Sequence, residues 1–474
     1  MHKRFNILFL LILSSVYGTV LNVPDEYSTI QLAIVNASNG DTVLVADGTY
    51  TGSGNKDIDF YGKSVYLKSQ NGYESTIIDC ENDGRGFYFH LVEDSTTVVD
   101  GFTITGGNET SGGGIFIEYS SPKIINTKIY SCYATNGGGF YVGTQAQPIF
   151  GNCIIDNNGY YDGARTDKGG NGYIESGSIT MSNSIIEDGT ADQSAAGIYI
   201  YNAGSPVTFN NCDFINNDVY DYNDNAGALY FHGEQLFIND CYFYGNDGRS
   251  GGGGLRISSG TTYITGSEFR YNIASSYNGG YGGAIFSNGD LTISTTKFIN
   301  NSTSNDDGSR GGTIYFSSSS AVLKIYNTLI VTGYSYRYPG VYFQGDSLHI
   351  EHSSIIYNEQ YNTGDGGSAD VYIYGSGSDS YLKNSITNSY STYTGGAPDP
   401  VVENVYTSET GAKFIDPDNG NYKLGVHSPC IGYGTDTDLE SDIIGNLRTN
   451  PPGTNPDAGC YESALDTAFS SNAY

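Results

Sequence analysis

The chain has 474 residues, 51 of them acidic against 21 basic, for a formal charge of −30, and it holds 65 Gly, 43 Tyr and no Trp. A surface this acidic repels nucleic acid and anionic lipid, which argues against both as partners. Seven cysteines are too few for a disulfide scaffold of this length, and none forms a CxxC metal pair.

Residues 1–18, MHKRFNILFLLILSSVYG, set His2, Lys3 and Arg4 before an apolar run from Phe5 to Leu13 and end in small residues. The pattern predicts a signal peptide cut near Gly18, and hence a secreted or cell-surface protein; the alternative is an uncleaved N-terminal anchor. The run is too short for a comfortable span, and no other stretch is apolar enough to cross a bilayer as a helix. Residues 19–60 are the predicted cap and first strands. There, Ile30, Leu32, Ala33 and Val35 follow roughly helical spacing and the pattern stops at Asn39-Gly40, which predicts a short amphipathic capping helix.

Residues 61–395 are built on a repeat. Asn126, Asn152, Asn183, Asn211, Asp240, Gly266, Thr295, Asn327, His352 and Asn384 recur at steps of 25 to 32 residues, inside the window that signals solenoids. Two positions earlier the residue is always apolar, from Ile124 and Phe150 to Leu382. One position later it is always small, and Cys153, Cys212 and Cys241 fill that slot as buried thiols. Apolar residues spaced by two belong to strands, and the change of parity across the recurring residue marks a corner. Six residues further comes Asn158, Asn217, Asn246, Asn272, Asn301 or Asn358, or Gly189 or Gly333, read as a second, left-handed bend. A glycine-led alternating strand follows, as in GGGIFIEY. Three short strands per turn make an all-β protein, a parallel β-helix of about a dozen coils in which like residues stack about 4.8 Å apart.

The period fails beyond about residue 396, so residues 396–474 are predicted to close the far end as a C-terminal cap. Cys430 and Cys460, both in that segment, are the candidate disulfide in an oxidising compartment.

VPDEYSTIQLAIVNASNGDTVLVADGTY resembles the opening of the right-handed parallel β-helix superfamily that includes pectate lyases. DGFTITGG is similar to segments of its secreted members. The Gly282 to Ile285 GGAI and the F-x-x-N runs at Phe214, Phe243, Phe269 and Phe298 resemble the repeats of polymorphic outer-membrane adhesins. FIDPDNGNYKL, SPCIGYGTD and DAGCYE are similar to the choice-of-anchor Q domain. The resemblance implies a right-handed solenoid and an extracellular protein of glycan-handling or adhesive lineage. It also implies a substrate cleft on the outward face of one sheet, flanked by long loops. Neither the aspartate-rich catalytic run of the pectin-cleaving relatives nor a Gly-His-Gly is present.

Alternation turns Ile115, Phe140, Ile174, Ile198, Leu229 and Leu255 inward on the glycine-led strand. It leaves Phe116, Tyr141, Tyr173, Tyr199, Tyr230, Arg256, Phe286, Tyr315, Tyr342 and Tyr372 outward. A strip of rings on an outer face is expected to bind extracellular polysaccharide or a cell-surface glycan, with Tyr141, Tyr173, Tyr199, Tyr201, Tyr230, Tyr315 and Tyr342 as contacts. The bland reading is a structural stack under the loops. In the enzymatic alternative, a calcium-dependent polysaccharide lyase or other glycan-cleaving enzyme, Arg256 and His232 carry the chemistry and Asp218, Asp221 and Asp224 hold Ca²⁺. The bland account of those residues is a solvated acidic ridge, with Arg256 paired to a loop aspartate. A third possibility is an adhesin whose length is its function. A monomer is expected.

Overall fold

The computed structural model describes residues 18–220, 226–277, 279–361, 369–375, 377, 379–393, 395, 398–450 and 452–465. It is a right-handed parallel β-helix with very little helix. A 13-stranded sheet collects the strands that follow each corner. A 26-stranded sheet collects the glycine-led strands and the strands that precede each corner. Short strands such as Asn108–Ser111 and Tyr133–Asn136 form the third side. Antiparallel strand pairs occur only in the hairpin Tyr160–Tyr161 with Ala164–Lys168 and in Phe414–Asp416 with Asn421–Leu424, among the described residues. None of the described helices is long and apolar enough to cross a membrane.

All ten corner residues have positive φ, from Asn126 at 49° to Gly266 at 63° and His352 at 46°. Asn and Gly tolerate this region best, which explains their recurrence there. The second bend differs from its expected position. The left-handed residues are Asn157, Asn216, Gly245, Tyr271 and Asn300, each one place before the recurring asparagine. Asn158, Asn217, Asn246, Asn272 and Asn301 instead point inward and are fully buried. They are retained for their amides. Asn246 Oδ1 accepts from the backbone N–H and the side-chain amide of Asn217, both at 3.0 Å, while Asn246 Nδ2 donates to Phe214 O at 2.9 Å and Asn272 Oδ1 at 2.8 Å. Where the slot holds Gly189, Asn171, just ahead of the strand Gly172–Glu175 in the preceding coil, reaches in and donates to Asn217 Oδ1 at 3.0 Å. A buried polar column is tolerated because every member is paired.

Glycine leads the third strand for a local reason. At Gly137, φ is 64°, and a Cβ would lie 2.2 Å from the carbonyl oxygen of Phe140; at Gly282 the distance to Ile285 O would be 2.0 Å. One inward assignment shifts. Gly172, not Ile174, sits opposite Phe140 and Ile198, and the Phe140 ring fills the space a side chain would need. Ile174 pairs one step on, with Val142 and Ile200.

The capping helix is Ile30–Asn36, with Thr29 Oγ1 accepting the Leu32 N–H at 3.2 Å. Its buried stripe is Ile30, Ala33 and Ile34, while Leu32 and Val35 face outward. The i, i+3, i+4 rows of a helix share a face; i+2 and i+5 do not.

The C-terminal segment first adds the rung Val401–Glu403, with Val405 packed on the end of the solenoid core, and then runs back along the flank. Tyr422, Leu424, Cys430, Ile443, Cys460 and Tyr461 pack on Leu329, Val331, Ile356 and Ile386 from the outer face of the 13-stranded sheet. The last rung, Tyr390–Tyr393 and Val401–Glu403, stays exposed among the described residues. The expected Cys430–Cys460 disulfide is absent. Both are free, buried thiols. Ser428 and Ser354 hydroxyls stand beside Cys430 and Cys460 respectively, so each sulfur has its own partner, and burial pushes both thiols up to about 12.

Candidate functional site

Strand register makes the outward row continuous. Asp59, Tyr88, Phe116, Tyr141, Tyr173, Tyr199, Tyr230, Arg256, Phe286, Tyr315, Tyr342 and Tyr372 are successive partners across the rungs. Their rings pack on one another: Phe116 on Tyr141 at 4.9 Å, Tyr199 on Tyr230 at 4.6 Å, Tyr315 on Tyr342 at 4.7 Å between centroids. Stacking consumes the faces. Tyr141, Tyr173, Tyr199, Tyr315 and Tyr342 are only 4 to 9% exposed. Ala195 and Ala226 lie against the middle of the row, the Lys168 ammonium over Tyr199 at 5.2 Å, and Tyr281 and Tyr338 against its second half. The row is outside the solenoid and yet interior to the protein.

Burial sets the chemistry of these phenols. Desolvation pushes Tyr173 up to about 12 and raises Tyr199 and Tyr342 further; for Tyr141 the adjoining carboxylate of Glu175 adds to the rise. Tyr141 donates to Glu175 Oε2 at 2.6 Å. The phenols are therefore neutral hydrogen-bonding groups at physiological pH.

The neighbouring outward row, two residues further along each strand, is open. Glu175, Tyr201 and His232 pair in successive rungs. Tyr201 is 38% exposed and its ring stacks on the His232 imidazole at 5.0 Å. His232 Nδ1 is enclosed without a hydrogen-bond partner among the described residues. Tyr374 and Tyr393 repeat the arrangement at the far end, stacked at 5.3 Å and 40% and 57% exposed.

Arg256 holds the place of a ring in the buried row. It is 8% exposed, and its guanidinium stands 3.4 Å over the centre of Phe286, a cation–π contact that continues the stack. So placed, it supports the row from within. Asp218 lies 3.5 Å from Arg249 Nη2, and burial with Asp247 beside it raises its carboxyl above the usual range. No three His, Cys, Asp or Glu side chains converge to hold a metal among the described residues, and Asp221 and Asp224 lie outside them. The structure thus brings Tyr201 and His232 together beside Tyr230 of the ring row and sets Asp218 apart on the third side.

One further groove lies outside every repeat pattern. It has a volume of about 600 Å³ and runs between Tyr326, Glu351, Tyr381, Lys383 and Glu403 on the flank and residues 435–439 of the tail. Its two walls lie far apart in the chain, so no local pattern announces it. His349 and His352 fall on a strand and at a corner, as their spacing predicts.

A profile described as right handed beta helix region matches residues 34–236 and 196–390, nearly the whole solenoid. The chain belongs to this family. The match ends before the tail. Among solved structures, ORF18 of Geobacillus virus E2 is similar at 16% identity and a TM-score of 0.38, over 70% of this chain and 62% of the viral one, so the chain covers less than two thirds of the viral protein. A mannuronic acid specific polysaccharide family 6 lyase enzyme from human gut microbiota is similar at 14% identity and a TM-score of 0.27, over 62% of this chain and 81% of the lyase. Likenesses so distant say nothing about chemistry. None of the curated proteins compared matches this β-helix in sequence.

Proposed function

We propose that this β-helix is a secreted or cell-surface protein that binds an extended extracellular polysaccharide along the open row Glu175, Tyr201 and His232. The observation that carries the reading is the exposed Tyr201–His232 stack beside a rigid, buried ring row. An aromatic edge with hydrogen-bonding neighbours on a preorganised strand suits a sugar, which offers C–H faces and hydroxyls together. Buried Tyr141, Tyr173, Tyr199, Tyr315 and Tyr342 hold the floor, and the open row makes the contact.

Affinity electrophoresis against neutral and uronate polysaccharides tests this. Retardation that Tyr201→Ala reduces at least about tenfold is expected, corresponding to a hot-spot contact. Tyr173→Phe, which removes a buried hydroxyl, leaves it unchanged. No retardation by any polymer, or equal retardation of Tyr201→Ala, defeats the reading.

The lyase reading has one observation in its favour, the His232 imidazole stacked on the exposed Tyr201 ring. Imidazole is the side chain best suited to moving protons near neutrality. In that reading His232 takes the proton next to a uronate carboxylate. Unsaturated product detected by ultraviolet absorbance, with and without chelator, and lost in His232→Ala, is its signature.

A further inference from the structure

We propose that Cys212 and Cys241 are a redox-modification site that closes a disulfide bond between two successive coils. Asn210 pairs with Asn239 and Asp213 with Tyr242, so Cys212 lies directly opposite Cys241. One rung of a parallel sheet, about 4.8 Å, separates them. Disulfides span Cα separations of about 4.4 to 6.8 Å. The two residues are in contact: the Cys212 N–H donates to Cys241 Sγ at 3.4 Å.

The slot itself does not require sulfur. In other coils a hydroxyl accepts the same bond, as where Cys241 N–H donates to Ser267 Oγ at 3.1 Å and Ser353 N–H to Ser385 Oγ at 3.1 Å. Two thiols in succession occur at this one seam. Cys153 is held apart from Cys212 by the intervening coil, whose Ser184 Oγ accepts the Cys153 N–H at 3.0 Å. Cys430 and Cys460 sit in the tail beside separate serines.

The oxidant is a small disulfide such as glutathione disulfide. One cysteine thiolate attacks it, a sulfur–sulfur bond of the oxidant breaks, and one glutathione thiol leaves. The second cysteine then attacks the mixed disulfide and releases the other. Two protons leave the protein and two electrons pass to the oxidant. Both thiols are buried, at 0% and 2% exposure, so exchange takes place before the coils close or while the seam opens. The closed ring contains Tyr230 and His232, and it ties their coil to the next one.

Refolding the full chain with glutathione disulfide, followed by alkylation and peptide mass mapping, tests the proposal. The expected product is a peptide pair joining Cys212 to Cys241, lighter by two hydrogen atoms and protected from alkylation until a reductant is added. Its melting temperature should exceed that of the reduced protein by several degrees. Cys241→Ser, which installs the serine used at this slot elsewhere, should leave Cys212 open to alkylation on unfolding, and Cys153→Ser should leave the bridge intact. Alkylation of both Cys212 and Cys241 after oxidative refolding, or bridges confined to other pairs, overturns it. The readout is a covalent bond, so the result is independent of whether the protein binds a sugar.

Discussion

The glycine-led face and the flank of the 13-stranded sheet both carry apolar residues outward, and the molecule covers them in different ways. On the first, rings stack on rings of the adjacent coils, and Ala195, Ala226 and Lys168 complete the cover over the middle of the row. On the second, Leu329, Val331, Ile356 and Ile386 are covered by a separate length of chain. Self-stacking needs only the repeat. A covering strap needs recognition, and the tail achieves it with buried polar contacts at the corner column.

Those contacts are specific. Arg448 Nη1 lies 3.3 Å from Glu462 Oε2, and Arg448 also donates to Asn327 Oδ1 at 2.5 Å. Asn384 Nδ2 donates to Thr435 O at 2.8 Å and to His352 Nε2 at 3.0 Å, which leaves His352 Nδ1 as the donor to Asp457 O at 3.2 Å. Asp442, Asp457 and Glu462 share this seam with a single guanidinium.

The largest effect that separates the two faces is therefore expected from Arg448→Ala. Removing the cation leaves buried carboxylates uncompensated, at a cost of about 4 kcal/mol. The loss should appear as fast hydrogen exchange across residues 407–465, while the solenoid stays protected. Protection retained in the tail would mean that the apolar contacts alone hold it. Tyr199→Ala comes next. It opens a cavity in the ring row, at about 3 kcal/mol, read as a drop in the denaturant midpoint of the solenoid with the tail still docked. An unchanged midpoint would show that the row is not a structural stack.

The response to pH sharpens the contrast further. Burial lowers the His352 imidazole to about 2, and burial with Glu462 nearby raises the Asp457 carboxyl to about 7. A depressed histidine loses stability as pH falls below its unfolded value of about 6.5. A raised carboxyl loses stability as pH rises from about 4 to about 7. The two slopes oppose each other across that window, with Glu462, also raised by burial, adding to the Asp457 side. Below about pH 4 only the histidine slope remains, so docking weakens there. His352→Asn keeps a left-handed corner residue and removes one slope; its docking should then fall steadily from pH 4 to 7. A flat profile in the variant, followed by hydrogen exchange of the tail, contradicts the assignment. The smallest expected effect is Tyr141→Phe, which removes the bond to Glu175 for about 1 kcal/mol in thermal unfolding. A larger loss would make the hydroxyls, and not the rings, the support of the row.

Much of this was legible in advance for a physical reason. A solenoid repeats its environment every turn, so each column of contacts is written ten times over, and the corner residues, the small slot beside them and the outward ring row all emerge from spacing alone. Asparagine was legible as a recurring letter and not as a role. Asn246 satisfies either a left-handed bend or a buried amide, and only the backbone angle at Gly245 assigned the bend one place earlier. Exposure was not legible either. Alternation says that Tyr199 leaves the solenoid, and nothing local says that Ala195, Ala226 and Lys168 will lie against the row there.

The sequence alone determined the winding, because strand parity and like-on-like stacking are local consequences of a repeated pattern. The tertiary structure decided which outward rings remain open and where the tail lies. Those outcomes depend on contacts between segments far apart in the chain, such as Arg448 with Asn327, and no repeat encodes them.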